Sequence, residues 1–166
     1  GPGGGPNLEQ GFDDLLFGLP RVPALAHRLD RDTSGCLILG RHRKALQKLG
    51  KLFQQSRIAK TYLALVPAPI ATLSGTIDAP LNKVSAHGGW KMRVTDDVAE
   101  VGAQTAVTDY TVLGCVEGIS LVRFAPRTGR THQLRVHTCH AFGVPILGDT
   151  LYGTGQNPLG GTMPKR

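Results

Sequence analysis

Apolar positions recur at Leu8, Phe12, Leu15, Leu16 and Leu19, with Asp13 and Asp14 set on another side. That spacing predicts a short amphipathic helix over 8–19, stopped by Pro20. Cys36-Leu37-Ile38-Leu39 is a short apolar run of buried-strand type. From 41 to 57, Ala45, Leu46, Leu49, Leu52 and Phe53 follow helical periodicity, and the basic residues fall largely on the opposite face. Strands follow at 60–66, rich in β-formers and ended by Pro67 and Pro69, and at 72–77. Residues 82–102 mix Gly, Asn, Ser and charge, which predicts a long loop or irregular hairpin around Trp90 to Val94. Further strands are expected near 104–113 and 119–125. Arg127-Thr128-Gly129-Arg130 then forms a basic turn, with Thr131 as N-cap of a helix from His132 to about Ala141.

Composition narrows the class. The 166 residues suit one domain over 1–166, with flexible ends at 1–6 and 154–166. A hydrophobic content of 40% is too high for a disordered chain. No apolar run approaches the ~20 residues that a membrane-spanning helix needs. The opening Gly-Pro-Gly-Gly-Gly-Pro has none of the regions of a signal peptide, so a cytoplasmic protein is expected. Cys36, Cys115 and Cys139 form no C-x-x-C pair and read as free thiols.

Charge adds a partner. The formal net charge is +7, and it is segregated. Between Asp32 and Asp78 there is no acidic residue, yet Arg41, Arg43, Lys44, Lys48, Lys51, Arg57 and Lys60 lie there. A second acid-free stretch, from Gly118 to Gly148, holds Arg123, Arg127, Arg130 and Arg135. Such segregation is the footprint of a polyanion binder, although solvated basic faces alone produce the same count.

The candidate chemistry starts at His27-Arg28-Leu29-Asp30-Arg31-Asp32-Thr33-Ser34-Gly35. Asp30 stands between two cations, which favour the ionised carboxylate, a side chain already nucleophilic at neutral pH. Thr-Ser-Gly reads as a turn, so Asp30 belongs on a loop at the mouth of a sheet. Arg-x-Asp-Arg by itself is equally a surface ion-pair cluster. The nine residues in order, however, resemble the signature of the RluA-type family of RNA pseudouridine synthases. Lys60-Thr61-Tyr62-Leu63-Ala64 is similar to that family's Lys-x-Tyr-x-Ala motif. Thr128-Gly129-Arg130-Thr131-His132-Gln133-Leu134-Arg135-Val136-His137 and Gly148-Asp149-x-Leu-Tyr152-Gly153 complete the likeness, which spans about residues 7–153.

The resemblance implies an α+β fold, a mixed, mainly antiparallel sheet flanked by a few helices. Family members carry strands before the signature and a strand pair after the Leu-Tyr-Gly. With 26 residues ahead of His27, edge strands and an S4-like RNA-binding domain are expected to be missing here. The implied reaction isomerises uridine in rRNA or tRNA to pseudouridine, on a base flipped out of its stack. Asp30 is then the essential catalytic residue, Tyr62 stacks on the base, Arg135 pairs with the aspartate and Leu134 lines an apolar pocket. His27, Arg28, Arg31, Lys60, Arg127, Arg130 and His132 are the expected RNA contacts. No cofactor or metal is expected, because the spacing of His132, His137, Cys139 and His140 matches no known zinc site and no P-loop or G-x-G-x-x-G occurs. The partner is RNA, without a membrane, and the chain is expected to act as a monomer. Two other classes stay open from sequence: a non-catalytic RNA-binding protein, and a base-excising hydrolase that would release uracil.

Overall fold

A computed structural model describes residues 8–86 and 89–153. The expected flexible ends lie outside the described residues. The chain forms two compact units, Gly1–Ile58 and Ala59–Arg166.

In the first unit a 3₁₀ helix occupies Leu8–Leu15, shorter and tighter than the amphipathic helix expected over 8–19. Phe17 and Gly18 both take positive φ, which turns the chain out of any helix before Pro20 is reached. Strands β1 (Ala24–Leu25) and β2 (Leu39–Gly40) pair antiparallel, Ala24 opposite Gly40. The predicted strand at 36–39 therefore survives only at its end. Its partner β1 is two residues long, and Cys36 and Ile38 face solvent, so the run is not a buried strand. Helix α1 (Arg43–Gln54) is the expected one, trimmed at both ends. His42 caps it, its Nδ1 accepting the Ala45 N–H at 3.2 Å. A Cβ on Gly40 would stand 2.5 Å from Leu46 Cδ2, so α1 sits on β2 only because residue 40 has no side chain.

The second unit is built on a four-stranded antiparallel sheet of order β3-β8-β7-β4. Its strands are β3 (Tyr62–Val66), β4 (Ser74–Asp78), β7 (Val107–Val116) and β8 (Ile119–Pro126). Along β8, Ser120, Val122, Phe124 and Pro126 are buried while alternate residues are exposed, the two-residue period of a sheet with one covered face. Val66, Ile77, Ala79, Val122 and Phe124 form one core cluster, against which Tyr62, Leu134 and Phe142 pack.

The stretch from 82, expected as a long loop or irregular hairpin, is a hairpin with regular pairing. Strands β5 (Leu81–Ala86) and β6 (Gly89–Val94) pair from Leu81 opposite Val94 to Ala86 opposite Gly89. Polar residues obscure this in the sequence, because only Leu81, Asn82 and Met92 of the hairpin are buried. Leu81, Met92, Ala106 and Val136 make a second core cluster, with Tyr152 packed against it. Helix α2 (Gln133–Phe142) lies over this region, its Val136, His137 and Thr138 buried. All strand pairs among the described residues are antiparallel, so the α+β, mainly antiparallel expectation holds.

Candidate active site

The first group of predicted residues sits on the loop that joins β1 to β2. The base of the loop is closed by the Ala26 N–H on the Ile38 carbonyl at 3.0 Å. His27 reinforces it, its Nε2 accepting the Ile38 N–H at 3.0 Å while its ring lies 4.8 Å from that of Phe53. An acceptor Nε2 in a neutral imidazole leaves Nδ1 as the protonated nitrogen. His27, expected at the RNA, thus also staples the loop. Asp30 is half-buried, and its carbonyl accepts the Thr33 N–H at 3.0 Å, closing a turn over Arg31 and Asp32, ahead of the turn expected at Thr33-Ser34-Gly35. Arg31 forms an exposed ion pair with Asp32 at 3.2 Å, a contact of little energetic weight. Arg28 is exposed.

The second group lies in the Ala59–Arg166 unit. Tyr62 opens β3 opposite Phe124, and it shares the first core cluster with Leu134. The Lys60 ammonium donates to the Thr128 carbonyl at 3.0 Å, tying β3 to the basic turn. Burial, helped by the nearby Arg130 guanidinium, holds the Lys60 pKa below its ordinary value. Arg127 makes a two-pronged pair with Asp109 at 2.7 and 2.8 Å, whereas Arg130 donates from Nε to the neutral carbonyl of Thr105 at 2.9 Å.

Gln133 organises this turn. Its Oε1 accepts the Thr128 hydroxyl at 2.8 Å and the Arg130 N–H at 2.9 Å. Its Nε2 donates to the Val107 carbonyl and to Thr108 Oγ1. The side chain thereby holds the turn ahead of α2, and the N-cap expected at Thr131 is not formed. The N-cap of α2 is His132, in the left-handed region at φ 53 and with no side-chain cap bond. A non-glycine residue there costs about 1–3 kcal/mol and persists only where its surroundings hold it. Here they do: the His132 ring stacks on Trp90 at 5.4 Å, and its Nδ1 is hydrogen-bonded to the Tyr152 hydroxyl at 2.8 Å.

Arg135 has a partner that the sequence did not suggest. Its Nε and Nη2 donate to the two carboxylate oxygens of Asp149 at 2.7 and 2.8 Å. Asp149 Oδ1 also accepts the backbone N–H groups of Leu151 and Tyr152 at 2.9 and 3.1 Å. The Arg135 guanidinium carbon lies 4.9 Å from the centre of the Tyr152 ring. Burial works to raise the Asp149 pKa, but the bonds from Arg135 and from the Tyr152 and Leu151 amides outweigh it, holding the carboxyl below its ordinary value. Asp149, Tyr152 and Trp90 were therefore missed as site residues. The sole signal for the first two was the Gly148–Gly153 element itself, which assigns no role. Trp90 carried none.

The antiparallel sheets, the few helices and the three sequence elements define the pseudouridine synthase fold class. A family model described as RNA pseudouridylate synthase matches residues 9–140, and the chain belongs to that family, in its RluA-type branch. It is 44% identical over 149 residues to an uncharacterized RNA pseudouridine synthase of Zymomonas mobilis, covering 89% of this chain and 66% of that protein. It is 40% identical over 157 residues to RNA pseudouridine synthase 3, mitochondrial, of Oryza sativa, covering 84% of this chain and 33% of that protein. Among solved structures, human RNA Pseudouridylate Synthase Domain Containing 1 superposes with a TM-score of 0.69 at 34% identity, over 84% of this chain and 58% of that one. The chain spans one-third to two-thirds of the length of these curated relatives.

Proposed function

We propose that this chain is an RNA pseudouridine synthase that converts uridine in rRNA or tRNA to pseudouridine, with Asp30 as the essential catalytic residue. Family membership over residues 9–140 carries the reading, since that match contains Asp30, Tyr62 and Arg135 together. Phosphate binding alone needs none of the three.

The reaction is an isomerisation. The N1–C1′ bond of uridine breaks, the uracil turns, and C5 bonds to C1′ while the proton lost from C5 is replaced by one on N1. No electron acceptor or phosphoryl donor enters that balance. Asp30 acts on the sugar, either by attack at C1′ or by removal of a sugar proton. The detached base must be kept in place, which suits an aromatic face at Tyr62 and an apolar wall at Leu134. Flipping the uridine out of its stack costs a few kcal/mol, which contacts to the backbone offset. His27, Arg28, Arg31, Lys60, Arg127, Arg130 and His132 supply those contacts, and affinity should fall steeply with salt.

The chain works as a monomer in the cytoplasm in this reading. No helix among the described residues is long and apolar enough to cross a membrane. Fractionation decides the compartment, and one relative carries mitochondrial in its name.

The test is carbodiimide mapping of pseudouridine in total RNA from cells with and without the gene. The gene-less strain is complemented with the wild-type sequence or with Asp30→Asn. One stop that vanishes and returns only with wild type identifies activity, residue and substrate together. Full restoration by Asp30→Asn would remove the aspartate from the chemistry. Release of free uracil would instead make the protein a hydrolase.

A further inference from the structure

We propose that Asp149 is a positioning residue for the isomerisation, holding the Arg135 guanidinium in one orientation through a buried two-pronged pair. The proposal rests on the functional reading above and adds to it a residue that acts through Arg135.

A guanidinium is a rigid planar fork with five N–H donors. Two of its nitrogens grip Asp149, Nε at 2.7 Å and Nη2 at 2.8 Å from the separate oxygens of the carboxylate. Gripping one edge of a planar group at two points fixes its plane and the direction of the opposite edge. The Tyr152 ring lies beneath Arg135, its centre 4.9 Å from the guanidinium carbon, and opposes tilting. Tyr152 is itself held, its hydroxyl accepting the Met92 N–H at 2.9 Å and meeting His132 Nδ1.

Asp149 is anchored independently of Arg135. The amides of Leu151 and Tyr152 bind its Oδ1, so the carboxylate belongs to a turn with its own geometry. That turn has no slack. A Cβ on Gly153 would fall onto the Asp149 carbonyl oxygen and stand 3.2 Å from Pro145 Cγ. The carboxylate side chain is 4% exposed, against 18% for its arginine. A pair serving only to add charge attraction would be met as well by a lysine. Two bonds to separate oxygens, a ring under the guanidinium and a braced turn are the features of orientation, and catalysis is sensitive to it: a misplacement of about 1 Å costs about 10²-fold.

The experiment compares single-turnover pseudouridine formation, RNA affinity and melting temperature for wild type, Asp149→Asn, Arg135→Lys and the double variant. Asp149→Asn should lower the rate at saturating RNA about 10²-fold, with affinity within about two-fold of wild type. Arg135→Lys should lose a similar factor, and the double variant should lose no more than the worse single one. A folded Asp149→Asn with an unchanged saturating rate overturns the proposal, as does a loss confined to affinity or to stability. Should Asp149→Asn fail to fold, Asp149→Glu keeps the charge and shifts the fork by about one methylene. A reduced saturating rate then supports positioning, and an unchanged one refutes it. A wild-type protein that forms no pseudouridine in any RNA overturns the functional reading and this proposal together. An active wild type with an unaffected Asp149 variant overturns this proposal alone.

Discussion

His137 Nδ1 lies 2.9 Å from Thr108 Oγ1 while its Nε2 lies 3.0 Å from the Ala79 carbonyl, and neither residue has any exposed surface. A carbonyl only accepts, so Nε2 carries the proton. The Thr108 hydroxyl accepts from Gln133 Nε2 and gives its own hydrogen to Nδ1. The imidazole is thus neutral with both nitrogens satisfied, and α2 is fastened to β7 and to the end of β4 through it. Protonation would place a second N–H against a hydroxyl that has to reverse.

Stability should therefore depend on His137 protonation. Burial, its largest cause, lowers the His137 pKa from 6.5, with a contribution in the same sense from His140. The unfolded chain then binds more protons than the folded one below that value, so unfolding free energy falls as the pH drops through the ordinary histidine range. Denaturant midpoints should be level above about pH 7 and decline from about pH 6.5 downward. Replacing His137 by Gln should abolish that slope. A midpoint flat from pH 7.5 to 5.5 in wild type would contradict the neutral assignment.

Gln133→Ala should be costly for a different reason. It leaves the Thr128 hydroxyl and the Arg130 N–H without their acceptor, and Thr108 without a donor. A buried polar group that loses its partner costs about 1–3 kcal/mol. Chemical denaturation should show a lower midpoint with an unchanged m-value. The basic turn should loosen as well, visible as faster amide exchange at Arg130.

The two arginines of the basic turn should differ at the RNA. Arg127 is compensated by Asp109 through two bonds, whereas the described bond of Arg130 is to a neutral carbonyl. Arg130→Ala should weaken binding and reduce the slope of log affinity against log salt by about 1. Arg127→Ala should change the slope less. Equal changes would mean that the Arg127–Asp109 pair opens when RNA binds.

Much of this was legible in the residues. Helix α1 was evident because a 3.6-residue apolar period survives in an exposed helix, and β3 and β8 because their β-formers alternate. The β5–β6 hairpin was only half legible, as a long loop or irregular hairpin, since it is largely exposed and its residues read as polar. The N-cap of α2 was misread for a related reason. Thr131 is the conventional capping type, but the cap position falls one residue later, on His132, whose left-handed backbone is held by Trp90 and Tyr152.

By itself the sequence determined which chemistry is on offer. Asp30 between arginines, Tyr62, and the run from Thr128 to His137 are local strings, and local strings carry side-chain type and order. What only the tertiary structure decided is which groups are paired. Asp149 lies 14 residues from Arg135, His137 is 29 from Thr108, and Lys60 is 68 from Thr128. No periodicity links such positions. They come together because burying an apolar face forces the polar groups beneath it to find partners or forfeit their hydrogen bonds to water.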